Sequence, residues 1–206
     1  METPNGYEFS AAAKVYLCAD KLLPPASQML GYQTNSGIFV ETHLLAKGVM
    51  LATIQSLQDT GYIELRVESI KRAFGTETNL MVRAVYSGAP GLSGRFLEAT
   101  QWRERSVDET VRELLVFDRR PLYPFMDSIS TEFAEAGVLI QSAEGPAWEP
   151  EWLTYLREGW YPEVYELWNR SHARADRELI ENDFMMAIGA RTDSTAVAPR
   201  VTPRGW

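Results

Sequence analysis

The amino-acid sequence predicts a mainly α-helical fold with short antiparallel β-hairpins, arranged as tandem winged-helix-like units in one compact helical domain. Two segments, 41–86 and 106–142, each combine helical apolar spacing with a strand pattern, and 206 residues are enough to enclose one hydrophobic core. Residues 146–189 add an aromatic-rich helical part, so the predicted domain spans residues 1–189. Residues 190–206 have no periodic apolar positions and are expected to form a flexible tail.

The first unit begins with a predicted helix that ends near Gly61. Its apolar stripe consists of Met50, Ile54 and Leu57 at i, i+4 and i+7, with Leu44 and Leu51 beside them. After the helix, Ile63, Leu65 and Val67 alternate with polar residues, as in a half-buried strand. A second strand is expected at 80–86, and the intervening residues 71–79 are expected to form the turn. Together these segments predict a helix followed by an antiparallel hairpin.

The glycine-rich segment SGAPGLSG, residues 87–94, is expected to be a loop, because Pro90 and three glycines disfavour regular structure. Gly88, Gly91 and Gly94 form a GxxGxxG pattern that has neither the Walker lysine nor the spacing of a dinucleotide-binding motif. A simple turn is the expected reading, and a backbone nest for an anion is the alternative.

The second unit begins at Ser106 and Glu109, which match a capping box and predict a helix start. The apolar stripe of this helix consists of Val107, Val111, Leu114 and Leu115. Prolines at 121 and 124 then predict a break. The next helix is expected at 124–136, with a stripe formed by Phe125, Ile129 and Phe133, and a short strand is expected at 137–140 after Gly137.

The aromatic-rich part is predicted to contain two helices, at 150–158 and 162–187. Its aromatic residues include Trp152, Tyr155, Tyr161, Tyr165 and Trp168. Because these residues are helical neighbours, they favour a packing seam over a ligand cage.

Charge and hydropathy limit the classes of function. The net charge is −8, and residues 121–190 hold thirteen acidic and four basic residues, which disfavours wrapping of an extended nucleic acid. Apolar runs are far shorter than the roughly 20 residues of a membrane-spanning helix, and the N-terminus lacks a signal-peptide pattern. The expected location is the cytoplasm. The single cysteine, Cys18, is expected to be a buried small hydrophobe.

The residues indicate no catalytic or metal site, and no cofactor is expected. His43 and His172, the two histidines, stand in no zinc-binding pattern, and no nucleophile elbow is present. Carboxylates such as Glu178, Glu181 and Asp183 could serve an enzyme, but their helical spacing beside arginines favours ion pairs. The sequence therefore predicts a protein that is not an enzyme.

Three stretches carry a family resemblance. The first, residues 31–65, reads GYQTNSGIFVETHLLAKGVMLATIQSLQDTGYIEL; the others are SGAPGLSGRFLEA and FMDSISTEFAEAGVLI. The leucine-rich segment 15–23, the Gly31-Tyr32 turn, the basic-glycine pair Lys47-Gly48 and the Gly61-Tyr62 turn follow one another in the same order as in the Golgi phosphoprotein 3 family. Over residues 15–142 the chain resembles that family.

The resemblance implies a peripheral membrane adaptor that binds phosphoinositide-type anionic lipid head groups, a protein partner, or both. The family's head-group pocket uses a tryptophan, an arginine of the basic-glycine pair and two arginines on the helix before Gly-Val-Leu. Lys47 matches the second of these, whereas the tryptophan position falls among residues 35–39. Positions near Tyr123 and Met126 align with the helical arginines, and Arg119 and Arg120 lie just upstream. The anion-binding residues that the resemblance implies are therefore Lys47, Arg119 and Arg120.

Winged-helix units also occur in DNA-binding transcription regulators, which remain the alternative. Against it, the second candidate recognition helix carries Asp127, Glu132 and Glu135 and no basic residue. Lys47 is the basic residue of the first candidate.

Overall fold

The computed structural model describes residues 6–27, 31–34, 36–72, 75–100, 103–115, 118, 120–142, 145–148 and 150–193. In this part of the chain, helices account for most residues and the strands form small antiparallel sheets. The predicted fold class is confirmed.

The N-terminal segment forms two short helices and a small hairpin. Helix α1 (Ala11–Leu17) starts at Ser10, whose hydroxyl accepts a hydrogen bond from the amide of Ala13 at 3.1 Å, and α2 (Ala19–Leu22) follows a break at Cys18. Strands β1 (Gly31–Gln33) and β2 (Phe39–Glu41) are antiparallel, with Tyr32 opposite Val40. Gly31 and Tyr32 therefore lie in a strand, and the turn expected there from the resemblance is wrong.

Helix α3 (Thr42–Asp59) confirms the first predicted helix and lies at the centre of the fold, in contact with α1. Its predicted stripe of Met50, Leu51, Ile54 and Leu57 is buried. Leu44 is the exception, with 39% of its surface exposed, although Thr42 and Leu45 in the same turn of the helix are buried. The helix ends at Asp59, and Gly61 follows its C-cap Thr60 with a φ of +73°, which suits glycine.

The hairpin after α3 is longer than predicted. Strands β3 (Ile63–Arg72) and β4 (Gly75–Ala84) pair in one register from Ile63 opposite Ala84 to Arg72 opposite Gly75. The turn expected over 71–79 is therefore wrong: residues 71–72 and 75–79 belong to the strands, and residues 73–74 lie outside the described residues. Polar residues on both faces hide the strand pattern in this segment.

Burial within this sheet follows strand position. Strand β4 lies between β3 and the two-residue strand β5 (Arg105–Ser106), so its Leu80 and Val82 are buried. Strand β3 is an edge strand, and its Val67 is 52% exposed although the alternation predicted burial.

The glycine-rich segment is not wholly a loop. Helix α4 (Gly91–Ala99) starts directly after Pro90, whose φ of −75° leads into the helix. Leu92, Phe96 and Leu97 are buried, so tertiary packing outweighs the low helix propensity of the two glycines in the first turn. The loop predicted over 87–94 is correct only as far as Pro90.

The second unit follows the prediction closely. Helix α5 (Val107–Leu114) begins at Ser106, whose hydroxyl accepts a hydrogen bond from the Glu109 amide at 3.1 Å, which is the serine half of the predicted capping box. The Glu109 carboxylate lies 3.6 Å from Arg105. Helix α6 (Leu122–Glu135) starts two residues earlier than expected and buries its whole predicted stripe. Strand β6 (Leu139–Ser142) pairs with β7 (Gly145–Trp148) as a short antiparallel hairpin.

The C-terminal helices break at a different place from the prediction. Helix α7 (Pro150–His172) continues through Pro162, and α8 (Arg177–Asp193) follows a short turn. Buried Trp160, Val164 and Leu167 anchor α7 on both sides of the proline, and their packing offsets its lost backbone hydrogen bond. The predicted helices 150–158 and 162–187 are therefore wrong in their boundaries. Residues 190–193 of the predicted tail are helical, and residues 194–206 lie outside the described residues.

One hydrophobic core contains residues from Phe9 to Ile188. The two predicted units are joined to each other, because β5 of the second pairs with β4 of the first. The C-terminal part is joined to the second unit, because α8 packs against α5. None of the helices in the described part of the chain is long and apolar enough to span a bilayer.

Candidate functional site

A surface cavity of about 520 Å³ lies where α3 begins. It is bordered by the first residues of α3, by the start of α6 and by the end of α8. The residues that line it are Ala26, Ser27, Glu41, Thr42, His43, Arg120, Pro121, Leu122, Tyr123, Ile188 and Thr192.

Two features give this cavity a positive character. The first is Arg120, which is exposed and whose guanidinium lies 5.8 Å from the centre of the Tyr123 ring. The second is the start of the 18-residue helix α3, where the side chain of the preceding Glu41 makes no capping hydrogen bond. A helix N-terminus carries a partial positive charge and attracts anions. His43 adds an exposed imidazole, and Glu41 is the acidic residue of the lining.

A hydrogen-bonded aromatic group supports the wall of the cavity at Tyr123. The Tyr123 ring lies 6.0 Å from the ring of Tyr32, whose hydroxyl donates to Asp127 at 3.3 Å and contacts the hydroxyl of Tyr16 at 3.1 Å. Burial is the main cause that raises the pKa of Tyr32. The Tyr32 phenol therefore stays protonated and can donate to Asp127.

Lys47, the first predicted site residue, lies outside this cavity. Its ammonium is 3.4 Å from the Glu181 carboxylate, which also binds Arg177. Burial raises the pKa of Glu181, but hydrogen bonding and charge from Arg177, together with Lys47, outweigh burial and lower it overall. The charge of Lys47 is thus largely neutralised by a residue 134 positions away in the sequence.

Of the other two predicted site residues, Arg119 and Arg120, the structure describes only the second. Arg120 lines the cavity, whereas Arg119 lies outside the described residues. Lys47 and Arg120 are therefore not brought together in one cavity, although both lie on or beside elements that flank α8.

Gly48, the partner of Lys47 in the basic-glycine pair, has a packing role. A Cβ on Gly48 would overlap the six-membered ring of Trp168, so glycine allows α3 and α7 to approach closely. Trp168 in turn stacks on His172 with 4.1 Å between ring centres, and Trp160 packs against Phe9 at 5.0 Å. Trp168 therefore packs as the predicted seam requires, whereas Tyr155 and Tyr165 of that seam are about half exposed. The pKa of His172 is lowered mainly by burial.

A buried carboxylate that the sequence did not single out connects two helix starts. Glu132 accepts hydrogen bonds from the amide and hydroxyl of Ser10, at 3.0 and 2.7 Å, and from the amide of Leu92 at 3.1 Å. Ser10 caps α1, and Leu92 lies in the first turn of α4. The glycine-rich segment therefore does hold an anion, but the anion belongs to the protein itself. The sequence does contain a signal for this role, because Glu132 lies three residues after Ile129 and therefore on the buried face of α6.

Two further observations concern metal ligands and reactive side chains in the described part of the chain. No group of three or more histidine, cysteine or acidic side chains that could hold a metal ion occurs among them. Cys18 is buried as expected, and burial raises the pKa of its thiol to about 12, so the reactive thiolate is scarce at neutral pH. The cavity at the start of α3 remains the best candidate site, with chemistry suited to binding an anion.

Comparison of the chain with protein-family models, with curated proteins and with solved structures finds no match in any of the three.

Proposed function

We propose that this protein is a non-enzymatic peripheral membrane adaptor that binds a phosphoinositide-type anionic lipid head group in the cavity at the start of α3. The observation that carries the proposal is the position of Arg120 in the same cavity as the N-terminus of α3, where the Glu41 side chain makes no capping hydrogen bond. A phosphate in this cavity would receive a charged guanidinium and the partial positive charge of α3 together. The resemblance of residues 15–142 to the Golgi phosphoprotein 3 family points to the same class of ligand.

Exposed apolar side chains close in sequence to the cavity lining support a membrane as the source of the anion. Leu44 follows His43 in the first turn of α3, and Ile38 directly precedes β2; they are 39% and 41% exposed. Apolar side chains beside a head-group site can enter the interfacial region of a bilayer and add to electrostatic attraction. A free soluble phosphate would gain nothing from them.

The DNA-binding alternative has less support. Helix α3 buries eleven of its eighteen residues in the core, and a recognition helix must present a long free face to the major groove. Its basic residue, Lys47, is paired with Glu181. Helix α6 exposes Asp127 and Glu135, which would repel phosphates.

Co-sedimentation with vesicles tests the proposal. Neutral phosphatidylcholine vesicles are compared with vesicles that also contain phosphatidylserine or phosphatidylinositol 4-phosphate, each at low and at physiological salt. We expect binding to the anionic vesicles that weakens as salt increases. Stronger binding to the phosphoinositide than to phosphatidylserine at equal charge supports recognition of the head group.

Variants then localise the binding. Arg120→Gln is expected to weaken vesicle binding by about fivefold, the value of one basic residue near an anionic surface. Arg103→Gln changes the net charge equally at an exposed position outside the cavity and serves as the matched control. Lys47→Gln should have a smaller effect than Arg120→Gln, because Lys47 is paired with Glu181. Absence of binding to every anionic vesicle, or equal losses in the Arg120 and Arg103 variants, would refute the assignment.

A further inference from the structure

A second cavity, of about 620 Å³, lies between α8 and strand β4. Its lining combines the apolar side chains Leu179, Met185 and Met186 with the polar residues Thr78, Asn79 and Asp183. No residue is shared with the cavity at the start of α3. Met186 is 53% exposed and Met185 38%, so two flexible thioether side chains lie at the surface beside the cavity.

Asp183 is the unusual member of this lining. Only 5% of the residue is exposed, and its Oδ2 atom is fully buried without a hydrogen-bond donor among the described residues. A buried carboxylate oxygen without a donor is costly, and native proteins satisfy nearly all such groups. A ligand that supplies the missing donor is one way in which such an oxygen is satisfied.

The structural role of Asp183 accounts for one of its oxygens. The backbone of Asp108, in the first turn of α5, hydrogen-bonds the Asp183 carboxylate, which helps to hold α8 against α5. The side chain of Asp108 is itself paired with Arg112 at 2.7 Å. Among the described residues, Asp108 is the charged group that shifts the pKa of Asp183. Arg112 of α5 is paired with Asp108, and Thr78 and Asn79 of β4 are uncharged.

We infer that this cavity binds a small organic cation, an ammonium or guanidinium group attached to an apolar body, with the cationic group donating to Asp183. A cation is required because a neutral donor would leave the carboxylate charge uncompensated in a nearly buried position. An apolar body is required because Leu179, Met185 and Met186 form much of the remaining wall. The volume lies within the range of ordinary small-molecule sites. This inference does not depend on the proposed lipid binding.

The first test uses 3-phenylpropan-1-amine as the probe, with the neutral 3-phenylpropan-1-ol and the anionic 3-phenylpropionate, which have the same number of carbon atoms, as matched compounds. Binding is measured by calorimetry and by ligand-detected NMR on the full chain without vesicles. We expect saturable binding of the amine, at least about tenfold tighter than binding of the alcohol, because a charge-assisted hydrogen bond is lost with the alcohol. Equal affinity for amine and alcohol, or no saturation by the amine up to roughly 10 mM, would overturn the inference.

Variants identify the carboxylate. Asp183→Asn should weaken amine binding by about tenfold or more, whereas Glu178→Gln, at an exposed position on α8 outside the cavity, should change it less than about twofold. Equal losses in both variants would mean that the amine follows net charge, and the site would be rejected. Met186→Ser provides an independent arm, since this exposed residue can change without disturbing the core, and several-fold weaker binding is expected.

A pH series adds a further readout. Burial and the charge of Asp108 raise the pKa of Asp183 to about 6. The carboxylate is therefore mostly ionised at pH 7.5 and mostly protonated at pH 5, while the amine stays charged at both. Affinity should fall about tenfold between these pH values in the wild type and stay nearly constant in Asp183→Asn. Unchanged wild-type affinity would contradict the assignment.

Discussion

Gly91 lies directly against the carboxylate of Glu132, with no space between them for a side-chain carbon. The φ of Gly91 is +51°, a region that other residues rarely adopt. Glu132 cannot easily move aside, because three hydrogen bonds from Ser10 and Leu92 hold its carboxylate. Glycine at this position therefore permits one acidic side chain to join the starts of two helices.

Gly91→Ala is expected to lower the free energy of unfolding by about 2–4 kcal/mol, through overlap with Glu132 in addition to backbone strain. Urea denaturation measures the change. Gly88→Ala is the matched control: Gly88 has a φ of +89°, but a Cβ there would meet no neighbouring atom, so about 1 kcal/mol is expected. Equal losses in the two variants would show that Glu132 does not impose the requirement.

Glu132→Gln should destabilise the protein by about 2 kcal/mol, because the replacement keeps the shape but removes the charge that three donors surround. Urea denaturation at neutral pH measures the loss. Glu135→Gln, on the same helix, changes an exposed carboxylate that accepts one hydrogen bond from Tyr7 at 3.1 Å, and less than about 1 kcal/mol is expected. A loss for Glu132→Gln no larger than for Glu135→Gln would contradict a joining role.

Stability should depend on pH through Asp183. Its pKa is raised from the ordinary value near 3.8 to about 6, chiefly by burial and then by Asp108. Because the folded pKa lies above the unfolded one, the stabilising contribution is complete below about pH 4 and is lost as pH rises through 6. Relative to wild type, Asp183→Asn should therefore gain about 2 kcal/mol between pH 4 and pH 7.

Urea denaturation of both proteins at pH 4, 5, 6 and 7 measures this difference. Glu178→Gln removes an exposed carboxylate from the same helix and controls for net charge. Parallel pH curves for wild type and Asp183→Asn would show that the Asp183 carboxyl titrates alike in the folded and unfolded chains.

Pro162→Ala should stabilise the protein by about 1–2 kcal/mol. Proline inside a helix removes one backbone hydrogen bond and costs about 3 kcal/mol relative to alanine, and part of the gain is lost because alanine frees the unfolded chain. Pro162 is exposed, so the change removes no core packing. Pro150→Ala is the control, because proline is tolerated in the first position of α7. Unchanged or lower stability of Pro162→Ala in thermal and urea denaturation would contradict a regular helix through this position.

Cys18 should be unreactive in the folded protein. Its side chain is buried, and burial raises its pKa to about 12, so both access and thiolate supply are low. A colorimetric thiol reagent at pH 8 is expected to label the native protein at least about a hundredfold more slowly than the protein in denaturant. Comparable rates in the two states would indicate that α1 and α2 open readily around this residue.

The helices and caps that depend only on residues close together in the sequence could be predicted. Three of them follow from spacings of three to eight residues: helix α3 and its end just before Gly61, the Ser106 N-cap of α5, and the buried stripe of α6. The helical conformation brings such residues onto one face, or a cap next to its amides, whatever the rest of the chain does.

The conformation of two other segments was decided by tertiary packing, which outweighs the preference of their own residues. Packing of Leu92 and Phe96 makes α4 helical despite its glycines, and packing of Val164 carries α7 through Pro162.

The candidate sites likewise combine features that the sequence indicates with features that only the tertiary structure shows. Arg120 could be named from the sequence, but its place beside the start of α3, the pairing of Lys47 with Glu181 and the unpaired oxygen of Asp183 could not. Local spacing determines helices and caps because their hydrogen bonds join residues within about one turn. Pairing, burial and cavities depend on which distant side chains the packed core brings together, and only the tertiary structure contains that information.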